Sequence, residues 1–459
     1  METFYYGMFA IMALICGYSE FQNQKPKQSN QAISSSVFIA FRNNYLVVYS
    51  LMMAGDWLQG PYVYALYQHY GYGVGDIGKL FIAGFGSSMV FGTVVGSMAD
   101  KYGRKKAGLC YVVTYILSCI TKHWSDYYVL MLGRFFGGIA TSLLFSAFES
   151  WLVSEHFKRG YEADWLGGTF SKAIFLGNGL VAILSGFVAN SLVGNLQLGP
   201  VAPFDAAATF LAIGGAIIMV TWTENYGDSN AQGGSMVQQF KDASAAIAAD
   251  KKIALLGAMQ SLFEGAMYTF VFLWTPALSP NNEDIPHGFI FAIFMMASMV
   301  GSSIAGRLMS TQGLRVEKYM QNVYLAGAVA LFIPVVVKML GLHKSDVPAG
   351  AQGNHGISWA GQVQMVGFVG FEVCVGIFWP SIMKMRSMYV PEEMRSTLMN
   401  FFRMPLNAFV CIVLYNVAAF PLEAMFLMCT LFLLGAWFCQ VTLDKITAGG
   451  ASMAKDDSA

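Results

Sequence analysis

Charge is what this sequence has least of. Only 12% of its 459 residues are Asp, Glu, Lys or Arg, against about 25% in a soluble protein. The 27 basic and 27 acidic side chains cancel, so the basic footprint of a nucleic-acid-binding protein is missing and no nucleic-acid partner is expected. Histidine is sparse too, at 6, with no metal-ligand spacing and no partner set for nucleophilic catalysis. Neither an enzyme nor a bound metal or other cofactor is indicated. The cysteines, Cys16, Cys110, Cys119, Cys374, Cys411, Cys429 and Cys439, all sit in apolar stretches without a C-x-x-C pair. They read as small packing residues, which excludes a disulfide framework.

What fills the chain instead is apolar. It is 56% hydrophobic, with 36 Phe, 28 Met and 48 Gly, and its mean hydropathy is +0.51. That mixture belongs to helices packed in a lipid bilayer. A helix needs about 20 apolar residues to cross a hydrocarbon core roughly 30 Å thick. One such run opens the chain, and six more lie on either side of a polar stretch at 224–251. The expected layout is an extra N-terminal transmembrane helix (1–20), a cytoplasmic linker (21–43), a six-helix bundle (44–223), a cytoplasmic inter-half loop (224–251), a second six-helix bundle (252–441) and a disordered tail (442–459). Two fused membrane halves give such a pattern.

Lysine and arginine set the orientation. With 224–251 inside, the inner loops collect most of them, while the outer loops hold little beyond Lys79, Lys122 and Lys344. The start METFYYG lacks the basic residues of a signal peptide, so the first run is expected to remain as a helix.

Three stretches carry recognisable spacing. GVGDIGKL (73–80) satisfies G-x-G-x-x-G, but no strand precedes it and Leu80 stands where a P-loop needs Ser or Thr; it reads as a turn. GSMADKYGRKK (96–106) places Gly96, Asp100, Gly103, Arg104 and Lys105 between two spans. Its glycines permit a tight turn and its aspartate can cap or pair with the adjacent cations. GRLMSTQGLR (306–315) echoes it in the second half, with Ser310 at the aspartate position. The first of these two fills every position of G-x-x-x-D-[RK]-x-G-R-[RK], and so resembles the signature loop of the major facilitator superfamily. LGRFFGG around Arg134, with SEHFKRG carrying Glu155 and Arg159, is similar to the sugar-porter branch, where the Glu and Arg lock helix ends against that loop. The resemblance implies an all-α polytopic membrane protein with the major facilitator fold, two six-helix halves plus one extra N-terminal transmembrane helix. Gly96, Asp100, Gly103, Arg104, Lys105, Glu155 and Arg159 would then be gating residues.

Ionisable groups at bilayer depth are costly and point to function. Asp56, Arg134, Lys172, Glu264 and Arg403 stand out, with Glu372 behind them. At 1.5 Å per residue, Asp56 is roughly 18 Å up from the inner side and Arg134 roughly 13 Å in from the outer side. Those levels agree, so an Asp56–Arg134 pair is expected. Proton-coupled sugar porters carry a similar Asp and Arg, and the resemblance implies that Asp56 carries a proton with Arg134 as its partner. A permanent ion pair is the structural alternative. Lys172 and Arg403 hold equivalent positions in the two halves, with Asn178 and Asn407 beyond them. Two such cations suit a tetrahedral oxyanion, with amides completing its shell. They could equally snorkel to the interface or pair with Glu264 or Glu372.

ADWLQGPYVYALYQHY, SLLFSAFESWLVSEH, LGPVAPF, FVFLWTPAL and FFRMPLN resemble the eukaryotic molybdate-anion transporter family, and the similarity runs from residue 1 to about residue 440. It implies transport of molybdate or a related oxyanion, with protons as the second partner, across the plasma membrane. A proton-coupled sugar or organic-anion carrier is the alternative. A non-transporting sensor or scaffold would lack an intact signature loop or add a soluble domain, and neither holds.

Overall fold

The computed structural model describes residues 3–23, 36–226, 236–279, 285–311, 313–341, 357–390 and 395–456. All regular elements among them are helical. The helices up to the inter-half segment are α1 (Thr3–Asn23), α2 (Ser36–Trp57), α3 (Val63–His69), α4 (Val74–Tyr102), α5 (Arg104–Ile120), α6 (Tyr127–Leu144), α7 (Ala147–Lys158), α8 (Ala163–Ile174), α9 (Ala182–Asn190) and α10 (Ala202–Thr221). After them come α11 (Met236–Ala249), α12 (Lys251–Leu278), α13 (His287–Ser310), α14 (Val316–Met339), α15 (Trp359–Tyr389), α16 (Arg395–Tyr415) and α17 (Leu422–Asp456). Nine spans among the described residues are long and apolar enough to cross a membrane.

The chain divides into two compact units. One comprises residues 26–233 with 286–295, the other 1–25, 234–285 and 296–459. Helix starts are set by polar caps. Asp126 accepts from the backbone N–H groups of Tyr128 and Val129, both at 3.0 Å, and so starts α6. Asp250 accepts from Lys252 N–H at 2.8 Å to start α12, and Ser358 from Gly361 N–H at 3.1 Å to start α15. Each satisfies a donor that the first helical turn leaves open.

Two expectations need correction. The segment 224–251 is not only a loop: it carries α11, whose alanine-rich second half has strong helix propensity. Nor does the last helix give way to a disordered tail at 442. It continues to Asp456, because Leu443 is fully buried and Asp444 and Thr447 are tied to Arg315.

In the first unit the core is aromatic at one end, where Trp151 and Trp222 stack with centroids 3.7 Å apart. Helices α4 and α6 touch through glycine: a Cβ on Gly138 would lie 1.9 Å from Ser87 Oγ and 2.4 Å from the Gly84 carbonyl oxygen. The helix from α8 to α9 departs from α geometry over Phe175–Val181, where it is π-helical. Such a stretch exposes backbone groups that an α-helix would consume. The Gly177 carbonyl uses this freedom to accept Trp57 Nε1–H at 3.1 Å.

In the second unit Phe263 stacks on Phe378 with centroids 3.9 Å apart. A Cβ on Gly376 would meet the Ser298 carbonyl oxygen at 1.9 Å. Helix α1 belongs to this unit: Tyr5, Met12, Cys16 and Ser19 form its buried face, and Arg307 Nη2 donates to the Ser19 carbonyl at 2.5 Å.

Because backbone atoms stand within 2.4 Å of a Cβ at Gly138 and 1.9 Å at Gly376, Gly138→Val and Gly376→Val should each cost at least the ~1–3 kcal/mol typical of overpacking. Thermal unfolding in detergent should show a clear drop for both. Gly86→Ala, at a position with open space around it, should leave the midpoint unchanged.

Candidate functional site

The signature loop is held by carboxylate and backbone groups downstream of α10. Gly103 has φ +115°, a conformation that favours glycine, and a Cβ there would sit 2.5 Å from Glu224 Cδ. Glu224 Oε1 accepts Lys105 N–H at 2.8 Å, at the positive end of α5. Arg104 donates its backbone N–H to the Asn225 carbonyl at 3.0 Å and Nη1–H to the Ser150 carbonyl at 3.1 Å. One turn further along α7, Arg159 Nε pairs with Glu155 Oε1 at 2.9 Å, and its guanidinium lies 4.7 Å from the centroid of Phe41. Of the expected gating residues, Gly103, Arg104, Lys105, Glu155 and Arg159 therefore gather at one end of the first unit. The backbones of Gly96 and Asp100 are in α4, and the Asp100 side chain lies outside the described residues. Glu224 and Asn225 escaped the sequence reading, which took them for the start of a polar loop.

Deeper in this unit Asp56 is half-buried at the end of α2. Its Oδ1 accepts the hydroxyl of Tyr115, on α5, at 2.5 Å. Tyr111, one turn earlier, donates to the Met52 carbonyl at 3.0 Å and packs against Tyr115. Asp56 and Arg134 do not form the expected pair here, because their helices turn them to different neighbours. Arg134, on α6, faces α4: Nε–H donates to the Leu80 carbonyl at 3.2 Å and the guanidinium lies 4.6 Å from the Phe81 centroid. The same Arg134 comes close to Lys122, in the short turn after α5. Lys122 is 1% exposed, and burial, followed by the charge of Arg134, pushes its ammonium down to about 7. Sequence reading had counted Lys122 only as an outer-loop charge.

Lys172, at the end of α8, and Asn178, in the π-helical stretch, are both exposed side chains of the first unit. Arg403 lies on α16 in the second unit, with its side chain outside the described residues; Asn407, one turn on, is half-buried. Glu264 is buried on α12, where Oε1 accepts Gln260 Nε2–H at 2.7 Å. Glu372 is buried on α15 at 5% exposure.

The loop echo in the second unit builds a larger network than its sequence suggests. Arg315 meets Glu317 at 3.4 Å, Asp444 at 3.2 Å and the Thr447 hydroxyl at 2.5 Å. Tyr389 donates to Glu317, and Gln321 to Asp444 at 3.1 Å. Residues from α14, α15 and α17 are thus tied together around one guanidinium. Among the described residues no group of three or more His, Cys, Asp or Glu side chains is arranged to hold a metal ion.

A family model for sugar transporters with 12 TM matches residues 4–368. The molybdate-anion transporter of Xenopus laevis is 32% identical over 96% of this chain and 95% of its own. That of Takifugu rubripes is 31% identical over 89% and 86%. Among solved structures, the nucleoside transporter NupG superposes with a TM-score of 0.60 at 15% identity, covering 88% of this chain and 99% of its own. A D-xylose–proton symporter does so with 0.64 at 10%, covering 87% and 97%. At such identity the two structures speak for the fold alone. The family match and the two vertebrate relatives go further: this chain belongs to the major facilitator superfamily and, within it, to the molybdate-anion transporter family of multi-pass membrane transporters.

Proposed function

We propose that this chain moves molybdate across the cell membrane by alternating access, with protons as the coupling ion and Asp56 as the group that carries them. The cargo rests on likeness to proteins named molybdate-anion transporters. The coupling rests on one observation: the carboxylate of Asp56, inside a span, is held by a phenol and not by a cation.

That choice of partner matters chemically. A phenolic hydroxyl both donates and accepts, so Tyr115 can give a hydrogen bond to the ionised carboxylate or take one from the protonated acid. An ammonium or guanidinium can do only the first. Asp56 can therefore gain and lose a proton without losing its partner. Tyr115 is 7% exposed, so the phenol side of the pair is shielded from water. In this reading Lys172 and Arg403, with Asn178, Asn407 and Glu264, supply the donors and charges that hold the dianion. The gating set at the signature loop, Gly96, Asp100, Gly103, Arg104, Lys105, Glu155 and Arg159, holds one end of the first unit until the cargo is bound.

Uptake of molybdate into proteoliposomes, with and without an inward proton gradient, tests the proposal. Wild type should respond to the gradient. Asp56→Asn should exchange molybdate but ignore the gradient, and Lys172→Ala/Arg403→Ala should abolish uptake. If D-xylose or an organic anion were taken up and molybdate were not, the cargo assignment would be wrong. Molybdate uptake that ignored the gradient in wild type would reduce Asp56 to a structural charge.

Tyr115→Phe isolates the hydroxyl. Losing a hydrogen bond to a charged group costs about 1.5 kcal/mol or more, so gradient-driven uptake should fall about tenfold. Unchanged uptake in this variant would remove Tyr115 from the coupling step.

A further inference from the structure

The end of the first unit opposite the signature loop holds two cations that the transport reading leaves without a complete account. Helix α5 runs from the loop at Arg104 to Ile120, and Lys122 follows in the connecting turn. The turn is anchored by Tyr70, whose hydroxyl donates to the Lys122 carbonyl at 2.5 Å. From there the side chain runs inwards and ends at 1% exposure. Its Nζ has no acceptor among the described residues and sits 5.8 Å from the centroid of Tyr67. The Tyr67 hydroxyl is itself fully buried without a hydrogen-bond partner among the described residues. Arg134, half-buried, donates Nε–H to the Leu80 carbonyl and makes no other hydrogen bond among the described residues.

Two glycines make room for the charged heads. A Cβ on Gly133 would come within 3.0 Å of Lys122 Nζ, and one on Gly84 within 2.7 Å of Arg134 Nη2. The carboxylates of this region are engaged elsewhere. Asp205 meets His123 at 2.7 Å, Asp76 meets Lys79 at 3.2 Å, and Asp126 caps α6. A buried ammonium beside a guanidinium, with no carboxylate partner among the described residues, is destabilising. Its donors are those that oxyanions bind: an ammonium, a guanidinium fork and a hydroxyl.

We propose that Lys122, Arg134 and Tyr67 form a second oxyanion site, at the end of the first unit opposite the signature loop and separate from Lys172 and Arg403. Its ligand is a tetrahedral oxyanion, free in solution or carried on a lipid headgroup. That the free ligand is also the cargo rests on the transport reading above; the site itself does not. Arg134 supplies a bidentate fork, Lys122 the compensating charge and Tyr67 a neutral donor. The groups facing Lys122 are Arg134 on α6, Tyr67 and Tyr70 on α3, Cys119 on α5, and the His123–Asp205 pair beside it. With its ammonium pushed down to about 7, Lys122 is charged below that pH and neutral above it. Binding is therefore strong in mild acid and lost as pH rises through 7, by about tenfold between pH 6.5 and pH 8. Occupancy by an anion holds the proton on Lys122.

The test uses the purified full-length protein in neutral detergent without added lipid, at constant ionic strength. Thermal unfolding and bound radiolabelled molybdate are read during titration with sodium sulfate, sodium molybdate and, separately, phosphatidylglycerol. Wild type should be stabilised by sulfate and molybdate at pH 6.5 and much less at pH 8. Lys122→Met, nearly equal in shape, should unfold at a higher temperature than wild type before any oxyanion is added, since it removes an uncompensated charge. It should lose the pH-dependent part of the oxyanion response and keep only what a site at Lys172 and Arg403 supplies. Tyr67→Phe should weaken the response without abolishing it. A Lys122-dependent response to phosphatidylglycerol alone would support the site and assign it to a lipid phosphate. An oxyanion response equal in Lys122→Met and wild type, or none in wild type, would overturn the proposal. The two readings separate cleanly. Molybdate uptake by wild type with unaltered binding in Lys122→Met would remove this site and leave the cargo standing. Lys122-dependent binding without any molybdate uptake would do the reverse.

Discussion

A hydrocarbon layer offers no hydrogen bonds, so every charge carried into it must be held by the chain itself or by what the chain transports. With only 12% charged residues, the protein has few such groups, and the way each is held separates structure from function. Arg159 is paired with Glu155, and Arg315 is surrounded by Glu317, Asp444 and Thr447. These are charge-paired arrangements at helix ends, and they act as fasteners. Asp56, Glu372 and Lys122 are different. Asp56 has a single phenol, Glu372 is buried in α15, and the Lys122 ammonium has no acceptor among the described residues. A group held so lightly can change its protonation or its ligand at little cost.

The backbone follows the same division. Where two helices must stay in register, glycine brings them into backbone contact, as at Gly138 against α4 and Gly376 against α13. Beside Asp56, the chain instead breaks α geometry over Phe175–Val181 and frees the Gly177 carbonyl for Trp57. A π-helical stretch can take up small rotations that a regular helix resists. Close glycine contacts beside an irregular segment suit a protein in which some helix pairs hold while others rearrange.

Much of the fold was readable from residue pattern, because apolar runs of span length and a filled signature loop leave little choice of architecture. The parts that were missed share a cause. Depth along a helix puts Asp56 and Arg134 at one level, but depth says nothing of azimuth. Asp56 turns to Tyr115 on α5, while Arg134 turns to Leu80 and Phe81 on α4. Tyr115 sits in an apolar run, where a tyrosine looks like any other packing residue. Lys122 looked solvated because it follows a span, and only the inward course of its side chain shows otherwise. Glu224 is 119 residues from Lys105, the residue whose N–H it accepts, a separation no local pattern reveals. Likewise α11 and the extension of α17 were hidden by composition, since alanine-rich polar segments read equally as linker or helix.

The central claim is that a proton accompanies the oxyanion and rides on Asp56. It is tested most directly by trapping a pH-sensitive dye inside lightly buffered proteoliposomes and adding molybdate outside, with no gradient set beforehand. The account predicts that the interior acidifies in step with molybdate accumulation in wild type. In Asp56→Asn, molybdate should still enter while the interior pH stays level. Acidification that persists in Asp56→Asn, or molybdate entry without acidification in wild type, would contradict it.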